Sequence, residues 1–517
     1  MLARCTTATL QGLEAIPVDV EVDLGPGLPA LQMVGLADTA IHESRERLRS
    51  ALRNSGLRVP LTRIVVNLAP AALRKEGTGF DLPIALALLV ASGQLPPERL
   101  AGLWCAAELG LDGQLRPIRG VLALAIAARR AGARALLVAE ANGAEAALVD
   151  GLGIWGAASL RQALELLSPD GPSRQDQPQP RLLPPRPPAA AAVDLADVQG
   201  QSHGRRALEI AAAGEHHLLL VGPPGSGKTM LARRLPGLLP PLSEAEALAI
   251  TQIHSVAGLL QHGPGLISER PFRSPHHSCS ATALIGGGGN PRPGELSLAH
   301  HGVLFLDELA EFPRDVLDQL RQPLESGEIW IHRSRLQACF PCRTTLVAAT
   351  NPCPCGWHGH DSARCQCLPS RRARYWARLS GPLLDRLDLQ VVVQPVTAEQ
   401  MGQCYRPRPV APEPAGSENT AGVAARVREA RERMQRRNRD RLSNGSLSAP
   451  AFRRCVQIDD TALTLWQQAI RARRLSSRSA DRVLRVAQTI ADLNGARKIG
   501  VSELGEALSY RSFDQIS

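Results

Sequence analysis

A glycine-rich segment near the middle of this 517-residue chain constrains its fold most strongly. Residues 222–229 read GPPGSGKT, and they stand between the apolar runs His217–Val221 and Met230–Leu235. This strand–loop–helix setting is typical of a phosphate-binding loop, whose backbone N–H groups surround phosphate oxygens. We expect Lys228 to neutralise the β- and γ-phosphates of ATP and the Thr229 hydroxyl to ligate Mg²⁺. The predicted nucleotide contacts are Gly222, Pro223, Pro224, Gly225, Ser226, Gly227, Lys228 and Thr229.

Two later apolar runs end in polar residues that suit the same site. Val303–Leu306 is followed directly by Asp307 and Glu308, and Thr345–Ala349 is followed one residue later by Asn351. Ligands of open α/β sheets bind at the carboxyl ends of the strands. We therefore expect Asp307 to hold Mg²⁺, Glu308 to polarise the attacking water and Asn351 to orient that water beside the γ-phosphate.

Two proline-rich breaks divide the chain into three parts. Such runs have no hydrophobic periodicity and are typical of extended spacers. The part before the first break alternates strand and helix patterns, the middle part does the same around the phosphate-binding segment, and the last part has helical patterns throughout. The predicted boundaries are 1–168 for an α/β domain, 169–192 for a linker, 193–404 for the ATPase core, 405–419 for a linker and 420–517 for a helical domain.

Composition narrows the class of protein. Lys and Arg number 59 against 49 Asp and Glu, a net charge of +10 that favours a polyanionic partner. Aromatic residues are only 3% of the chain, which argues against a surface built for serial base stacking. The longest apolar run, Leu82–Gly93, is too short to span a membrane, and the first residues do not resemble a secretory signal. We expect a cytoplasmic protein that does not interact with membranes.

The order of these motifs resembles the ComM/YifB family of magnesium-chelatase-like AAA+ ATPases. The resemblance rests on the phosphate-binding segment, Leu306–Glu308, the segments TNPCPCG at 350–356 and GPLLDR at 381–386, and three N-terminal stretches at 34–38, 75–83 and 108–117. It implies a ring, usually of six subunits, with ATP at each subunit boundary. It also implies that Arg386 enters the neighbouring subunit's site, and that Arg478, with Arg482 in reserve, is a second arginine acting on the phosphates.

The N-terminal part is similar to the Lon-protease-type domain, which shares the fold of ribosomal protein S5 domain 2. A Ser–Lys protease needs a hydroxyl and a neighbouring amine that deprotonates it. By this resemblance Gly79 stands where the serine belongs and Leu122 where the lysine belongs, while Thr78 lies one residue away. We therefore expect a binding or assembly module without peptidase activity.

Four cysteines cluster directly after the third predicted strand. Cys353 and Cys355 form one C-x-C pair, and Cys365 and Cys367 form a second. Four thiolates at the ends of a short loop can hold Zn²⁺ tetrahedrally. The alternative is four reduced cysteines in a cytosolic loop, and the sequence leaves both interpretations open.

Three segments are candidates for contact with a polymer. The first is an insertion at 270–289, and the second is a strand-like segment at 327–337 that carries Arg333 and Arg335 at alternate positions, where both could track phosphates. The third is the stretch Arg426–Arg441, which contains eight arginines. With the resemblance, these features predict an ATP-driven DNA helicase or branch-migration motor that acts on single-stranded and branched DNA during natural transformation. The alternatives are a metal-chelatase motor subunit and an AAA+ ATPase that remodels protein partners.

Overall fold

The computed structural model describes residues 2–168, 193–198, 200–260, 265–333, 336–360, 364–379, 381–395, 419–438 and 441–511. Both predicted linkers, apart from Asn419, therefore lie outside the described residues. None of the helices in these ranges is long and apolar enough to cross a bilayer.

The N-terminal domain alternates strands with helices. Its elements are β1 (Leu2–Gln11), β2 (Glu14–Gly25), β3 (Ala30–Val34), α1 (Thr39–Asn54), β4 (Arg63–Ala69), α2 (Asp81–Ala91), β5 (Leu103–Ala106), β6 (Glu108–Leu109), β7 (Leu115–Arg116), α3 (Val121–Arg130), β8 (Ala135–Ala139), α4 (Glu140–Ala146), β9 (Gly153–Ala157) and α5 (Leu160–Leu166).

A mixed seven-stranded sheet in the order β3-β4-β2-β1-β5-β8-β9 forms the centre of this domain. Strand β2 pairs antiparallel with β1 and β4, whereas β5, β8 and β9 are parallel. Alternate residues of β8 enter different apolar clusters, Leu137 on one face and Leu136 with Val138 on the other. A strand that is apolar at every position is therefore buried on both faces.

The middle part contains most of the predicted site residues. Its elements are α6 (Ser202–Gly214), β10 (Leu218–Val221), α7 (Lys228–Ala232), α8 (Leu235–Leu238), α9 (Glu244–Ala257), β11 (Phe272–Arg273), α10 (Ala281–Ile285), β12 (Gly286–Gly287), β13 (Arg292–Pro293), α11 (Glu295–Leu298), β14 (Val303–Leu306), α12 (Arg314–Asp318), α13 (Pro323–Ser326), β15 (Glu328–Arg333), β16 (Leu336–Pro341), β17 (Thr345–Thr350), α14 (Pro369–Trp376), α15 (Gly381–Leu384) and β18 (Leu389–Val392).

These strands form a parallel five-stranded sheet in the order β11-β14-β17-β10-β18. All three predicted apolar strands lie in it next to one another. Because every strand runs in the same direction, their carboxyl ends share one edge and their amino ends the other. The antiparallel hairpin β15–β16 is separate from this sheet, and its Ile329 and Phe340 pack against one face of it.

The C-terminal part is helical, as its sequence pattern predicts. It comprises α16 (Thr420–Arg437), α17 (Ala449–Cys455), α18 (Asp460–Arg473), α19 (Ser477–Leu493) and α20 (Val501–Ser509). Buried residues such as Val427 and Val486 belong to the same apolar cluster as Leu218 and Phe305 of the sheet. The helices therefore share a hydrophobic core with the ATPase sheet, although the sequence places a linker between the two.

The N-terminal domain also contacts the middle part directly. Gly120 N–H donates to Ser255 O at 3.2 Å, and the Gln252 side chain donates to Leu13 O at 2.8 Å, both at helix α9. Gln11 donates to the backbone of Gln337 in the hairpin at 3.1 Å. These contacts fix the N-terminal domain against the ATPase core and its hairpin.

Candidate active site

The phosphate-binding segment forms a tight loop between β10 and α7. Gly225 has φ 74° and Gly227 has φ 90°, a left-handed conformation that favours glycine. A Cβ at Gly222 would come within 2.4 Å of Val393 O, so the backbone passes very close to the strand beyond it. Gly222 N–H also donates to Thr350 O at 3.2 Å. The loop is therefore fixed between β17 and β18, with its N–H groups in position to bind phosphate.

Lys228 lies inside this loop. Its Nζ donates to Gly222 O at 2.7 Å, to Pro223 O at 2.9 Å and to Asn351 Oδ1 at 3.2 Å. Burial lowers the pKa of Lys228, and the nearby carboxylates Asp307 and Glu308 partly oppose this effect. The structure thus brings the predicted lysine and the predicted polar residue of the third strand into contact.

The two predicted Mg²⁺ ligands also meet. The Thr229 hydroxyl donates to Asp307 Oδ2 at 2.9 Å, across the gap between α7 and the end of β14. The buried Ser226 Oγ has no hydrogen-bond partner among the described residues. A hydroxyl and a carboxylate side by side are suitable ligands for Mg²⁺, and an unpaired buried hydroxyl in the loop can donate to a phosphate. These residues therefore fit Mg²⁺-ATP, which would supply the phosphoryl group for hydrolysis.

Glu308 has a partner that the sequence did not reveal. Its backbone is left-handed, with φ 53°, and its side chain is 56% exposed. Its Oε2 lies 3.0 Å from Nδ1 of His277, which belongs to the insertion at 270–289. Glu308, which is predicted to polarise the attacking water, thus contacts the insertion at 270–289, which is a candidate for polymer contact. No local pattern links these two residues.

Arg386 lies at the opposite edge of the sheet from the phosphate loop. It precedes β18, whose Leu389 pairs with Leu218 and whose Val392 pairs with Val221 immediately before the loop. The four residues of β18, about 13 Å in length, therefore lie between Arg386 and the level of its own phosphate loop. Arg386 is only 6% exposed, because it donates to Arg321 O and Pro382 O and pairs with Glu325 at 2.8 Å.

The two other predicted arginines differ in their contacts. Arg478 lies 3.5 Å from the same Glu325, and its side chain is 55% exposed. Arg482 instead donates to Arg386 O and forms a close ion pair with Asp388. Burial alone would raise the pKa of Asp388, but Arg482, and then the His216 hydrogen bond, hold it well below its usual range. Arg478 is therefore the more accessible of these two arginines, and Arg482 belongs to a buried network.

The four predicted cysteine ligands come together. The Sγ atoms of Cys353, Cys355, Cys365 and Cys367 all lie within 4.8 Å of one another. The backbone N–H of Trp357, and then the neighbouring thiols, lower the pKa of Cys355 to about 6, while burial and the other thiols raise the pKa of Cys367 to about 11. The negative charge of one thiolate thus makes deprotonation of a neighbouring thiol less favourable. A bound cation would compensate this repulsion between thiolates.

The predicted polymer contacts have mixed outcomes. Arg333 is the last residue of β15, but its side chain and the whole of Arg335 lie outside the described residues, so their shared face stays a prediction. The hairpin instead exposes Trp330, at 52%, whose ring stacks on that of His332 with centroids 6.0 Å apart. This pair was not predicted from the sequence, although alternation along a strand places both rings on one face.

In α16, several arginines of the stretch Arg426–Arg441, a candidate polymer contact, are paired with other groups. Arg426 pairs with Glu209, and Arg431 pairs with Glu215 at 2.7 Å. Two further arginines turn inward, Arg433 to Asp492 O at 2.7 Å and Arg437 to the Asp492 carboxylate. Arg426 and Arg431 thereby link α16 to the ATPase core, whereas Arg433 and Arg437 link it to α19 within the helical part.

Gly79 and Leu122, the two positions that the resemblance to the Lon-type domain compares with its catalytic pair, have apolar surroundings. Gly79 lies in the short helix Thr78–Phe80, and a Cβ there would approach Ile118 Cδ1 to 3.0 Å. Leu122 is fully buried in the core. The Nζ of buried Lys75 donates to Gly35 O at 3.0 Å and to Pro70 O, so this nearby amine stabilises backbone.

Comparisons with known proteins agree with this geometry. The family described as "Magnesium chelatase, subunit ChlI" matches residues 194–401, its C-terminal counterpart matches 417–511, and "Subunit ChlI of Mg-chelatase" matches 20–142. Lon protease 2 of Bacillus subtilis is 29% identical over 150 residues, or 26% of each chain. The likeness to Lon is therefore partial, whereas the magnesium-chelatase-like AAA+ domain and the helical C-terminal region are shown.

Three relatives match over almost their whole length. An uncharacterized protein of Mycobacterium tuberculosis is 44% identical over 513 residues, which cover 99% of this chain and 98% of the relative. YifB of Escherichia coli, also uncharacterized, is 43% identical over 510 residues, and the competence protein ComM of Haemophilus influenzae is 42% identical over 518 residues. Each of these two alignments covers 99% of this chain and 97% of the relative. The chain belongs to the ComM/YifB family of magnesium-chelatase-like AAA+ ATPases.

Proposed function

We propose that this protein is an ATP-driven DNA motor that forms a ring, usually of six subunits, and unwinds or branch-migrates DNA during natural transformation. Membership of an AAA+ family implies ATP and Mg²⁺ as cofactors. The coupling to DNA and the ring are the parts that go beyond the family assignment.

The observation that carries the proposal is the division of the site between two edges of one sheet. Lys228, Thr229, Asp307 and Asn351 meet at the carboxyl edge, while Arg386 and Arg478 lie together on the far side around Glu325. Charge that develops on phosphoryl oxygens during hydrolysis must be met by fixed cations. A neighbouring subunit can bring such arginines to the phosphates, and a closed ring gives every subunit a neighbour.

In this arrangement Glu325 forms ion pairs with both arginines within one subunit. Arg386 would have to exchange its Glu325 pair and two carbonyl contacts for the neighbour's phosphate oxygens. Arg478 is already exposed and needs to give up only the more distant Glu325 contact. Assembly of the ring would therefore recruit Arg478 first and Arg386 after it.

DNA is the proposed polymer for three reasons. The chain has a net charge of +10, and it is 42% identical along its length to a protein named for competence. The hairpin exposes the stacked rings of Trp330 and His332, and its last strand residue before the turn is Arg333. An exposed pair of stacked rings suits contact with a nucleic-acid base.

Strand displacement on forked DNA and on Holliday junctions tests the proposal. With ATP and Mg²⁺ the full chain should release a labelled strand from at least one of these substrates, and the Lys228→Ala variant should release none. ATP hydrolysis that is unaffected by any DNA, with no strand released from either substrate, would contradict the DNA motor.

A second candidate is a motor subunit of a metal chelatase. The match of all three parts to ChlI descriptions favours it. Such a subunit should hydrolyse ATP at a rate that depends on a protein partner and not on DNA. The DNA dependence of ATP hydrolysis therefore separates the two candidates. A protein-remodelling ATPase, like the chelatase subunit, should hydrolyse ATP at a rate that does not depend on DNA.

A further inference from the structure

The cysteine cluster has dimensions that suit a single tetrahedral ion. Zn²⁺ lies about 2.3 Å from each thiolate sulfur, which makes the edges of a sulfur tetrahedron about 3.8 Å long. Here Cys353 Sγ lies 3.3 Å from Cys355 Sγ and 3.9 Å from Cys365 Sγ. Cys353 is buried while the other three thiols are partly exposed, so the cluster lies at the surface end of the loop.

The cluster begins two residues after Asn351, which contacts the phosphate-binding lysine. Between them, Pro352 O accepts a hydrogen bond from Trp376 Nε1 at 3.1 Å. Short covalent spacing and a buried hydrogen bond therefore link the cysteines to the group at the γ-phosphate position. Movement of Cys353 would be transmitted to Asn351.

A second contact runs from the cluster to the phosphate loop itself. Gly356, next to Cys355, has φ 83°, and a Cβ there would lie 2.5 Å from Pro224 Cδ. Farther along the same loop, His360 Nδ1 lies 3.0 Å from Gln394 Oε1. Gln201 then joins Gln394 O to the phosphate loop through Ser226 O. The cysteine loop thus packs against the phosphate loop directly and through two intervening residues, Gln394 and Gln201.

We propose that Cys353, Cys355, Cys365 and Cys367 bind one Zn²⁺ and that this ion holds the phosphate loop in its ATP-binding shape. The metal closes the cysteine loop, which presses Gly356 against Pro224 and fixes Asn351 beside Lys228. Closed tetrathiolate sites are structural, so the ion stabilises the site and does not enter the reaction. The metal site stands independently of nucleotide chemistry, whereas its coupling to ATP rests on the proposed ATPase function.

Metal content and ATP affinity test the two halves of this proposal separately. Full-length protein purified without chelator should contain about one zinc per chain by mass spectrometry of the elements. Cys365→Ser with Cys367→Ser should lose it, and Cys455→Ser, outside the cluster, should keep it. Zinc at the level of the double variant in the wild type, or iron in its place, would overturn the metal site.

The coupling is measured by titrating a fluorescent ATP analogue with Mg²⁺ against wild-type protein before and after zinc is stripped. Removing the ion should weaken binding at least about tenfold, the effect expected when a supporting shell is lost, and Zn²⁺ alone should restore it. Circular dichroism before and after stripping shows that the chain stays folded. Equal affinity in both states would overturn the coupling. A chain that holds zinc but binds no ATP in either state would overturn the proposed function and the coupling, while the metal site would stand.

Discussion

The N-terminal and ATPase domains are both α/β structures that resemble enzymes. They differ in the residues that stand where each enzyme has its reactive groups. At the carboxyl edge of the ATPase sheet, Lys228, Thr229 and Asp307 lie within hydrogen-bond distance of partners that a nucleotide could replace. In the N-terminal domain, Gly79 faces Ile118 and Leu122 is buried among apolar residues. Resemblance to an enzyme therefore does not by itself assign a reaction, which depends on the residues present at the site.

The largest expected effect is on the ATPase side of this comparison. Lys228→Ala removes the fixed cation at the phosphates and should abolish nucleotide-dependent activity, a loss of at least about 100-fold. Glu308→Gln spares the Mg²⁺ ligand Asp307 and should keep ATP binding while turnover falls about 100-fold. Parallel measurements of nucleotide affinity and hydrolysis check this division, and an equal loss of affinity in both variants would refute it.

Acid should weaken the ATPase domain more than the N-terminal domain. Burial lowers the pKa of His217 to about 4 and of His300 to about 3, and each accepts a backbone N–H at 3.1 Å on Nδ1. Such histidines take up protons only on unfolding, so their stabilisation is complete above pH about 6.5 and declines as the pH falls toward 4. For His217 alone the loss between pH 7 and pH 5 is about 2 kcal/mol.

Hydrogen exchange read by mass spectrometry at pH 7 and pH 5, corrected for intrinsic rates, resolves the two domains. Protection should fall in the ATPase sheet and persist in the N-terminal sheet, whose domain has the single, exposed histidine His42. The variant His42→Gln is the matched control and should leave the protection of both sheets unchanged at either pH. Equal loss of protection in both domains would contradict the assignment of the acid effect to buried histidines.

A smaller effect is expected from the contact between His277 and Glu308. A carboxylate that is engaged by an imidazole is less available to polarise water, and a hydrogen bond contributes about 1 kcal/mol net, or about fivefold in rate. We expect His277→Ala to raise ATP hydrolysis in the absence of DNA by about this factor and to reduce stimulation by DNA. His276→Ala tests for an indirect effect, since His276 contacts Ser278 and its ring centroid lies 4.0 Å from that of His277. A rate as low as that of Glu308→Gln would show that His277 supports catalysis.

The smallest effect belongs to the N-terminal domain. Thr78→Ala should leave ATP hydrolysis unchanged, because Thr78 belongs to the N-terminal domain, and should alter the free energy of unfolding by no more than about 0.5 kcal/mol. Since the resemblance puts Leu122 where the base would be, we expect no peptide cleavage by either protein. Casein degradation and thermal unfolding check this. Peptide cleavage by the wild type that disappears in the variant would show that the N-terminal domain is catalytically active, contrary to this account.

The parts of the molecule that were predicted correctly from sequence are those encoded by neighbouring residues. Gly222, Asp307 and Asn351 each follow a predicted apolar strand. A parallel sheet brings the carboxyl ends of such strands together. The four cysteines are likewise close in sequence. Local patterns of this kind fix both the element and its position in the site.

The remaining features depend on contacts between distant segments. Nothing near Glu308 or Arg386 in the sequence indicates His277 or Glu325, because these partners come from other elements. The sequence left open whether the arginines of α16 are free or ion-paired, because their partners, such as Glu209 and Asp492, lie on other helices. Counting charges along one helix cannot show which of them are neutralised after packing.

The division of the ATP site between two subunits is tested most directly by mixing two inactive variants. Lys228→Ala subunits lack the phosphate-binding cation, and Arg386→Ala subunits lack the arginine proposed to act on the neighbour. In mixed rings some interfaces would combine an intact phosphate loop with an intact arginine, so ATP hydrolysis should reappear at a level that depends on the mixing ratio. Mixed rings shown to form, with no hydrolysis at any ratio, would contradict a site completed by the neighbouring subunit.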